Sequence, residues 1–208
     1  MLVRYSAAIL GWLLLVPMLL AGNPERDPQE LLQELTENIL QEVQKDPAQL
    51  NDVNRVRELA ERHIIPHIDF DAAAQWVLGK YWRTATDRQR ADFVREFRSL
   101  LLNTYMRSIS NYQNNRITFM PARGDIASGR VEVDVEVELP GGPPAHLAFR
   151  MHNARGSWLV YDITVEGVSL VATHRSGFAR EISEQGLDSL IARLARKNMN
   201  AHTELAVQ

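Results

Sequence analysis

The sequence predicts an α+β protein, a curved four-stranded antiparallel sheet covered by helices. Three observations predict it. Apolar residues recur at helical spacing through the first half of the chain and again near its end. Between these stretches, from about residue 116 to 165, the period changes to two. The period-two runs are joined by short turns rich in Gly, Pro and Asn, as antiparallel neighbours require.

The helices come first. Asp27-Pro28-Gln29-Glu30 is a helix start, with a capping Asp, a Pro in the first turn and Glu three residues after the cap. Leu31, Leu35, Ile39 and Val43 then form a stripe. Asp46-Pro47 restarts the chain, and Leu50, Val53, Val56, Leu59 and Ala60 form a second stripe that ends before Pro66. Asp69 caps a third helix, expected over about Phe70 to Trp82. Thr86-Asp87-Arg88-Gln89 is a capping box opening a long helix that carries Phe93, Phe97, Leu100, Leu101, Thr104, Tyr105 and Ile109.

The strands follow. Arg116 to Met120 is the first. Arg130 to Leu139 alternates, with Val131, Val133, Val135, Val137 and Leu139 facing one way and Glu132, Asp134, Glu136 and Glu138 the other. After the Pro140 to Pro144 turn, Leu147, Phe149 and Met151 face inward and His146, Arg150 and His152 outward. Trp158 to Val165 is the fourth strand, with Leu159, Tyr161, Ile163 and Val165 expected on one face. An acidic outer row beside Arg150 and two histidines gives opposite-charge cross-strand pairs, each worth roughly 0.2–1 kcal/mol. One face is then solvated, and the other awaits cover by helices. Helices over a concave sheet enclose either a filled core or a pocket.

Met1 to about Gly22 reads as a signal peptide. Arg4 is its basic start, Ala7 to Leu20 its apolar run, and Ala21-Gly22 its small-residue end. Residues 23–208 then form one domain. Without Arg4 the mature chain has 22 basic against 26 acidic residues, one basic residue fewer than the whole chain, and a formal charge of −4. That balance argues against nucleic-acid binding and against adsorption to an anionic bilayer by charge alone. The chain has no cysteine, which excludes disulfides, thiolate catalysis and zinc–cysteine sites. Leu20-Ala21-Gly22-Asn23 has Asn where a lipoprotein signal has its lipid-bearing Cys, so the mature protein is expected to diffuse freely.

Two stretches carry a resemblance. The first is Tyr81-Trp82-Arg83 with Thr86, Gln89-Arg90, Phe93, Phe97, Leu101 and Tyr105. The second runs from Trp158 through Asp162 and Glu166-Gly167-Val168-Ser169-Leu170 to Arg175-Ser176, Phe178, Ile182, Gly186 and Leu190-Ile191. Together they resemble the periplasmic lipid carriers of the Mla (maintenance of lipid asymmetry) pathway, the toluene-tolerance or auxiliary ABC-transport proteins. The pattern departs at Thr173-His174, where Asn-Tyr or similar is expected before the Arg, and at Gly177, where a polar side chain is expected.

The resemblance implies a non-enzymatic, periplasmic protein with no cofactor. It would carry phospholipid between an outer-membrane lipoprotein complex and an inner-membrane ABC transporter complex, without stable membrane insertion. The acyl chains would lie in an apolar cavity between sheet and helices, with the headgroup near solvent. Candidate lining from the helices is Tyr81, Trp82, Phe97, Leu101 and Tyr105. From the strands it is Val133, Val135, Phe149, Met151, Tyr161 and Ile163. Arg175 could contact the phosphate or act structurally. Each methylene buried is worth about 0.8 kcal/mol, so a diacyl lipid of roughly 30 methylenes carries ~24 kcal/mol of hydrophobic burial. The bilayer supplies the same burial, so a carrier has only to match it within a few kcal/mol.

Other chemistry fits less well. His63 and His67 with Asp69 and Asp71 resemble a metal cluster, but Pro66 interrupts the helix that would align them. Gly167-Val168-Ser169-Leu170-Val171 lacks the second Gly of a nucleophile elbow. Asp134 and Asp162, the acids an isomerase-like pocket would need, are expected to point to solvent. The main competing reading is an exported protein-interaction adaptor whose apolar stripes simply fill a core. An enzyme acting on lipids is a third.

Overall fold

The computed structural model describes residues 26–109, 115–154 and 156–206. The expected signal segment, 1–22, lies outside them.

Helix α1 (Pro28–Lys45) begins as expected, with the Asp27 carboxylate accepting from the Gln29 and Glu30 amides. A 3-10 turn (Pro47–Asn51) leads to α2 (Val53–His63), and a second one (Ile65–His67) holds Pro66. The third helix is two helices, α3 (Phe70–Leu78) and α4 (Lys80–Thr84), broken at Gly79. Gly79 has φ +55°, a conformation that side chains with a Cβ rarely adopt. The capping box opens α5 (Asp87–Ile109): the Gln89 amide donates to Thr86 Oγ1, and the Thr86 amide donates to Gln89 Oε1.

The sheet has six strands, not four: β1 (Ile117–Phe119), β2 (Arg123–Asp125), β3 (Arg130–Val137), β4 (Ala145–Ala154), β5 (Ser157–Val165) and β6 (Val168–Ser169). All pair antiparallel, in the order β1-β3-β4-β5-β6, and β2 shares the β3 edge with β1. The two extra strands are too short to show a period. Two helices close the described chain, α6 (Leu170–Gln185) and α7 (Leu187–Ala206).

The predicted alternation holds over β3, with its four valines buried, but the strand ends at Val137, and Leu139, expected on the inner face, is exposed. The alternation predicted for β5 does not hold. Met151 pairs with Val160 but Arg150 pairs with Asp162, leaving Tyr161 as an extra residue in β5. The bulge changes which residues face the valines. Trp158 and Val160 are buried before it, and Ile163 stands beside Phe149 after it. Leu159, paired with His152, and Tyr161, whose ring meets that of His152 at 5.6 Å, belong to the opposite face. The expectation that Leu159 and Tyr161 share a face with Ile163 is therefore corrected.

The helices do not form one lid. Phe93, Phe97, Val77, Leu78, Val171, Phe178, Leu190 and Leu194 make a core of their own, drawn from α3, α5, α6 and α7. This bundle is fastened to β5: Ile68 bridges Val160 in parallel, the Asp69 amide donates to the Val160 carbonyl, and α6 starts directly after β6. The apolar face of the sheet is met instead by α1, through Leu31, Leu32 and Leu35. The other end of α1 joins a third core, in which Ile39 and Val43 pack with Leu50, Val56, Leu59 and Ala60. Glu42 ties that end down, accepting from Arg62 and pairing with His63 Nε2 at 2.5 Å. The His63 bond lowers the Glu42 carboxyl below its usual range.

Candidate functional site

The apolar face of the sheet is a set of cross-strand rows. Val131, Met151 and Val160 form one, Val133, Phe149 and Ile163 the next, and Val135, Leu147 and Val165 the third. β1 extends the surface, with Phe119 opposite Val135 and Ile117 opposite Val137. Burial is uneven. Val131, Val133, Val135, Val137, Met151, Trp158 and Val160 are buried, whereas Ile117, Phe119, Leu147, Phe149 and Ile163 are only half-buried. The rows nearest β6 and β1 thus offer apolar surface that α1 does not fully cover. Trp158 Nε1, in the buried part, has no hydrogen-bond partner.

The opposite face is polar and cross-linked. Arg150 Nε donates to Glu132 at 3.0 Å and Arg123 reaches both Glu132 and Asp134. The Glu132 bond raises the Arg150 value still further, so this guanidinium stays charged. Asp162 was expected in solvent. It lies on the expected face but is 2% exposed. Its carboxylate accepts from Ser169 Oγ at 2.7 Å, the Val171 amide at 3.2 Å and Arg150 Nη1 at 3.4 Å. Ser169 Oγ in turn accepts from the Ala172 amide and caps α6. Asp162 therefore fixes where α6 leaves the sheet. Sequence reasoning missed this because it left the whole polar face to solvent, whereas β6 and the start of α6 fold over it at Asp162.

The candidate lining residues fall into two groups. Val133, Val135 and Met151 are buried in the sheet core, with Phe149 and Ile163 half-buried beside them. Phe97 is fully buried in the helical core, where Tyr81, Trp82 and Leu101 pack against it. Burial also raises the Tyr105 hydroxyl above its usual range. Tyr161 joins neither group. Arg175 stands on α6 with its guanidinium 5.5 Å from the Trp76 ring. The structure thus divides residues that the sequence reading had placed around one cavity. Among the described residues, a concavity of about 410 Å3 lies along α7 (Arg193, Arg196, Lys197, Asn200) and one of about 230 Å3 at the α3–α4 corner. Neither lies on the valine face.

The metal-like residues are also apart. His63 pairs with Glu42, while Asp69 caps α3 and pairs with His152 at 2.8 Å. Ser169 and His174 do not meet in a catalytic arrangement: the His174 ring stacks on Phe178 and is edge-on to Phe97. Among the described residues no helix is long and apolar enough to cross a membrane.

An open antiparallel sheet with one apolar face, fastened to a helical bundle, is also the fold of a solved phospholipid-binding protein from Ralstonia solanacearum, determined in complex with a phospholipid. The two superpose with a TM-score of 0.76 at 28% sequence identity, covering 85% of this chain and 99% of that one. Residues 33–196 match the family described as MlaC protein, and the chain belongs to that family. It is 26% identical over 175 residues to the intermembrane phospholipid transport system binding protein MlaC of Haemophilus influenzae, covering 82% of this chain and 81% of the relative. It is also 26% identical over 163 residues to the toluene tolerance protein ttg2D of Pseudomonas putida, covering 77% and 75%.

Proposed function

We propose that this protein is a periplasmic phospholipid carrier that binds acyl chains on the apolar face of its sheet. The observation that carries the reading is the shared fold with a relative solved with phospholipid bound, over nearly the whole of that relative. The half-buried rows at Leu147, Phe149 and Ile163 support it, because they already present apolar surface between β1, the sheet and α1.

Lipid enters where α1 now lies. Leu31, Leu32 and Leu35 hold this helix on the valines by apolar contact, and acyl chains offer the valines the same kind of contact. The opposite end of α1, tied by Glu42, acts as the hinge. A single acyl chain spans about half of the ~30 Å bilayer core, and β4, with ten residues, extends ~33 Å. Length is therefore not limiting. Val133, Val135, Met151, Phe149 and Ile163 form the floor. Tyr81, Trp82, Phe97, Leu101 and Tyr105 support the helical bundle beside it, and Arg175 stands on α6 of that bundle.

The mature chain, 23–208, works in the periplasm after removal of 1–22. It exchanges lipid with an outer-membrane lipoprotein complex and an inner-membrane ABC transporter complex, and does no chemistry on the lipid. The test is solvent extraction of the purified mature protein with lipid identification, alongside native mass spectrometry. One phospholipid per chain is the expected result. A protein that is lipid-free and refuses added phospholipid would leave an adaptor with an ordinary core.

A further inference from the structure

The α3–α4 corner carries a surface away from the apolar face of the sheet. Trp76 is 44% exposed, unusual for so large an apolar side chain. The Arg175 guanidinium lies over its ring, and Lys80 Nζ lies 5.0 Å from the centre of the Tyr81 ring. Between them opens the concavity of about 230 Å3, floored by Val77, Leu78 and Ala179 and rimmed by Lys80, Tyr81 and Arg175. Gly79 makes the close approach possible: a Cβ there would stand 3.1 Å from Arg175 Nη2. Among the described residues neither Lys80 nor Arg175 has a carboxylate partner.

We propose that this corner docks a protein segment that presents one apolar side chain flanked by carboxylates. Trp, Tyr and Arg are the residue types that dominate binding hot spots, and here Tyr81 and Arg175 line one small pocket while exposed Trp76 lies under the Arg175 guanidinium. The pocket volume of about 230 Å3 suits one inserted side chain. Two unneutralised cations at the rim fix the sign of the partner. A bilayer is the poorer fit, since a concave site receives a knob whereas membrane contact needs apolar groups that protrude. The proposal stands apart from the lipid reading, because none of these residues lies on the valine face.

The test is site-specific photocrosslinking in the native cell envelope, with p-benzoylphenylalanine replacing Trp76 in the full chain. A control carries it at Ile126, which is 47% exposed on the β2–β3 connection. The crosslinked peptide is then sequenced. The expected partner segment has an apolar residue beside at least two Asp or Glu. Lys80→Glu with Arg175→Glu should lower the yield about tenfold, and changing the partner's acids to Lys should restore it. Bound lipid, measured on Lys80→Glu alone, should be unchanged. Adducts with phospholipid alone, a segment without acids, a yield no greater than at Ile126, or indifference to charge reversal would each overturn the proposal.

Discussion

Arg150 and Asp162 face one another across β4 and β5, and the Asp162 side chain has no solvent exposure while the guanidinium is 3.4 Å away. Removing the carboxylate strands two donors at the start of α6, the Ser169 hydroxyl and the Val171 amide, while Arg150 keeps Glu132. Asp162→Ala should therefore destabilise the protein by about 2–4 kcal/mol. Asp162→Asn, which can still accept from Val171, should lose less. Urea unfolding followed by circular dichroism measures both. A loss below about 1 kcal/mol for the Ala variant would mean that α6 is positioned by packing alone.

The division of candidate residues into two groups makes a second prediction. Phe149 is half-buried on the sheet face and Trp82 half-buried in the helical bundle. Phe149→Glu should purify folded but with most of its lipid lost, whereas Trp82→Ala should keep a full load. Native mass spectrometry reads the ratio. The reverse pattern would move the lipid site into the bundle.

His174 should make stability sensitive to acid. Burial among Phe97 and Phe178, then the nearby Lys197, lowers its value below the usual 6.5, so the folded protein holds the ring neutral. The unfolded chain takes up the proton as pH falls through 6.5. Stability from this site is thus full above that pH and declines below it. His67, lowered mainly by burial, acts in the same direction. His174→Phe should show a smaller fall in urea midpoint between pH 7.5 and 5.5 than the parent chain. Equal slopes would remove His174 from the account.

Gly79→Ala tests the corner described above. The positive φ and the 3.1 Å approach to Arg175 act together. The expected loss is about 1–3 kcal/mol, a fall in Tm of about 2–12 °C for a chain of this size. Lipid content should not change. A neutral substitution would show that the backbone can relax there without moving Arg175.

Much of this architecture was legible in the sequence, for reasons that are local. The Asp27 cap, the Thr86–Gln89 box and the valine row of β3 are set by neighbours a few residues away, and all three stand as expected. Gly79 interrupts the run from Phe70 to Trp82 because its backbone turns at a point marked only by the missing Cβ. β2 and β6 are too short for a period. The separation of the helical core from the sheet face was not legible, since Phe97 and Phe149 are both simply apolar and only the tertiary fold assigns them to different cores. Tyr161 was misjudged because of the bulge, and Asp162 because Ser169 and Val171, remote from its strand pattern, cover it.

That residue, Tyr161, has a consequence of its own. Every other described position from Trp158 to Val165 has a partner on β4. If Tyr161 were deleted, Val160 would precede Asp162, and inward and outward side chains would alternate without interruption. The ladder does not need it. What it supplies is direction: β5 bends beside Val160, where Ile68 and Asp69 attach the bundle. The strand thus has its elbow where the bundle is attached, at one aromatic residue that pairs with nothing in the ladder.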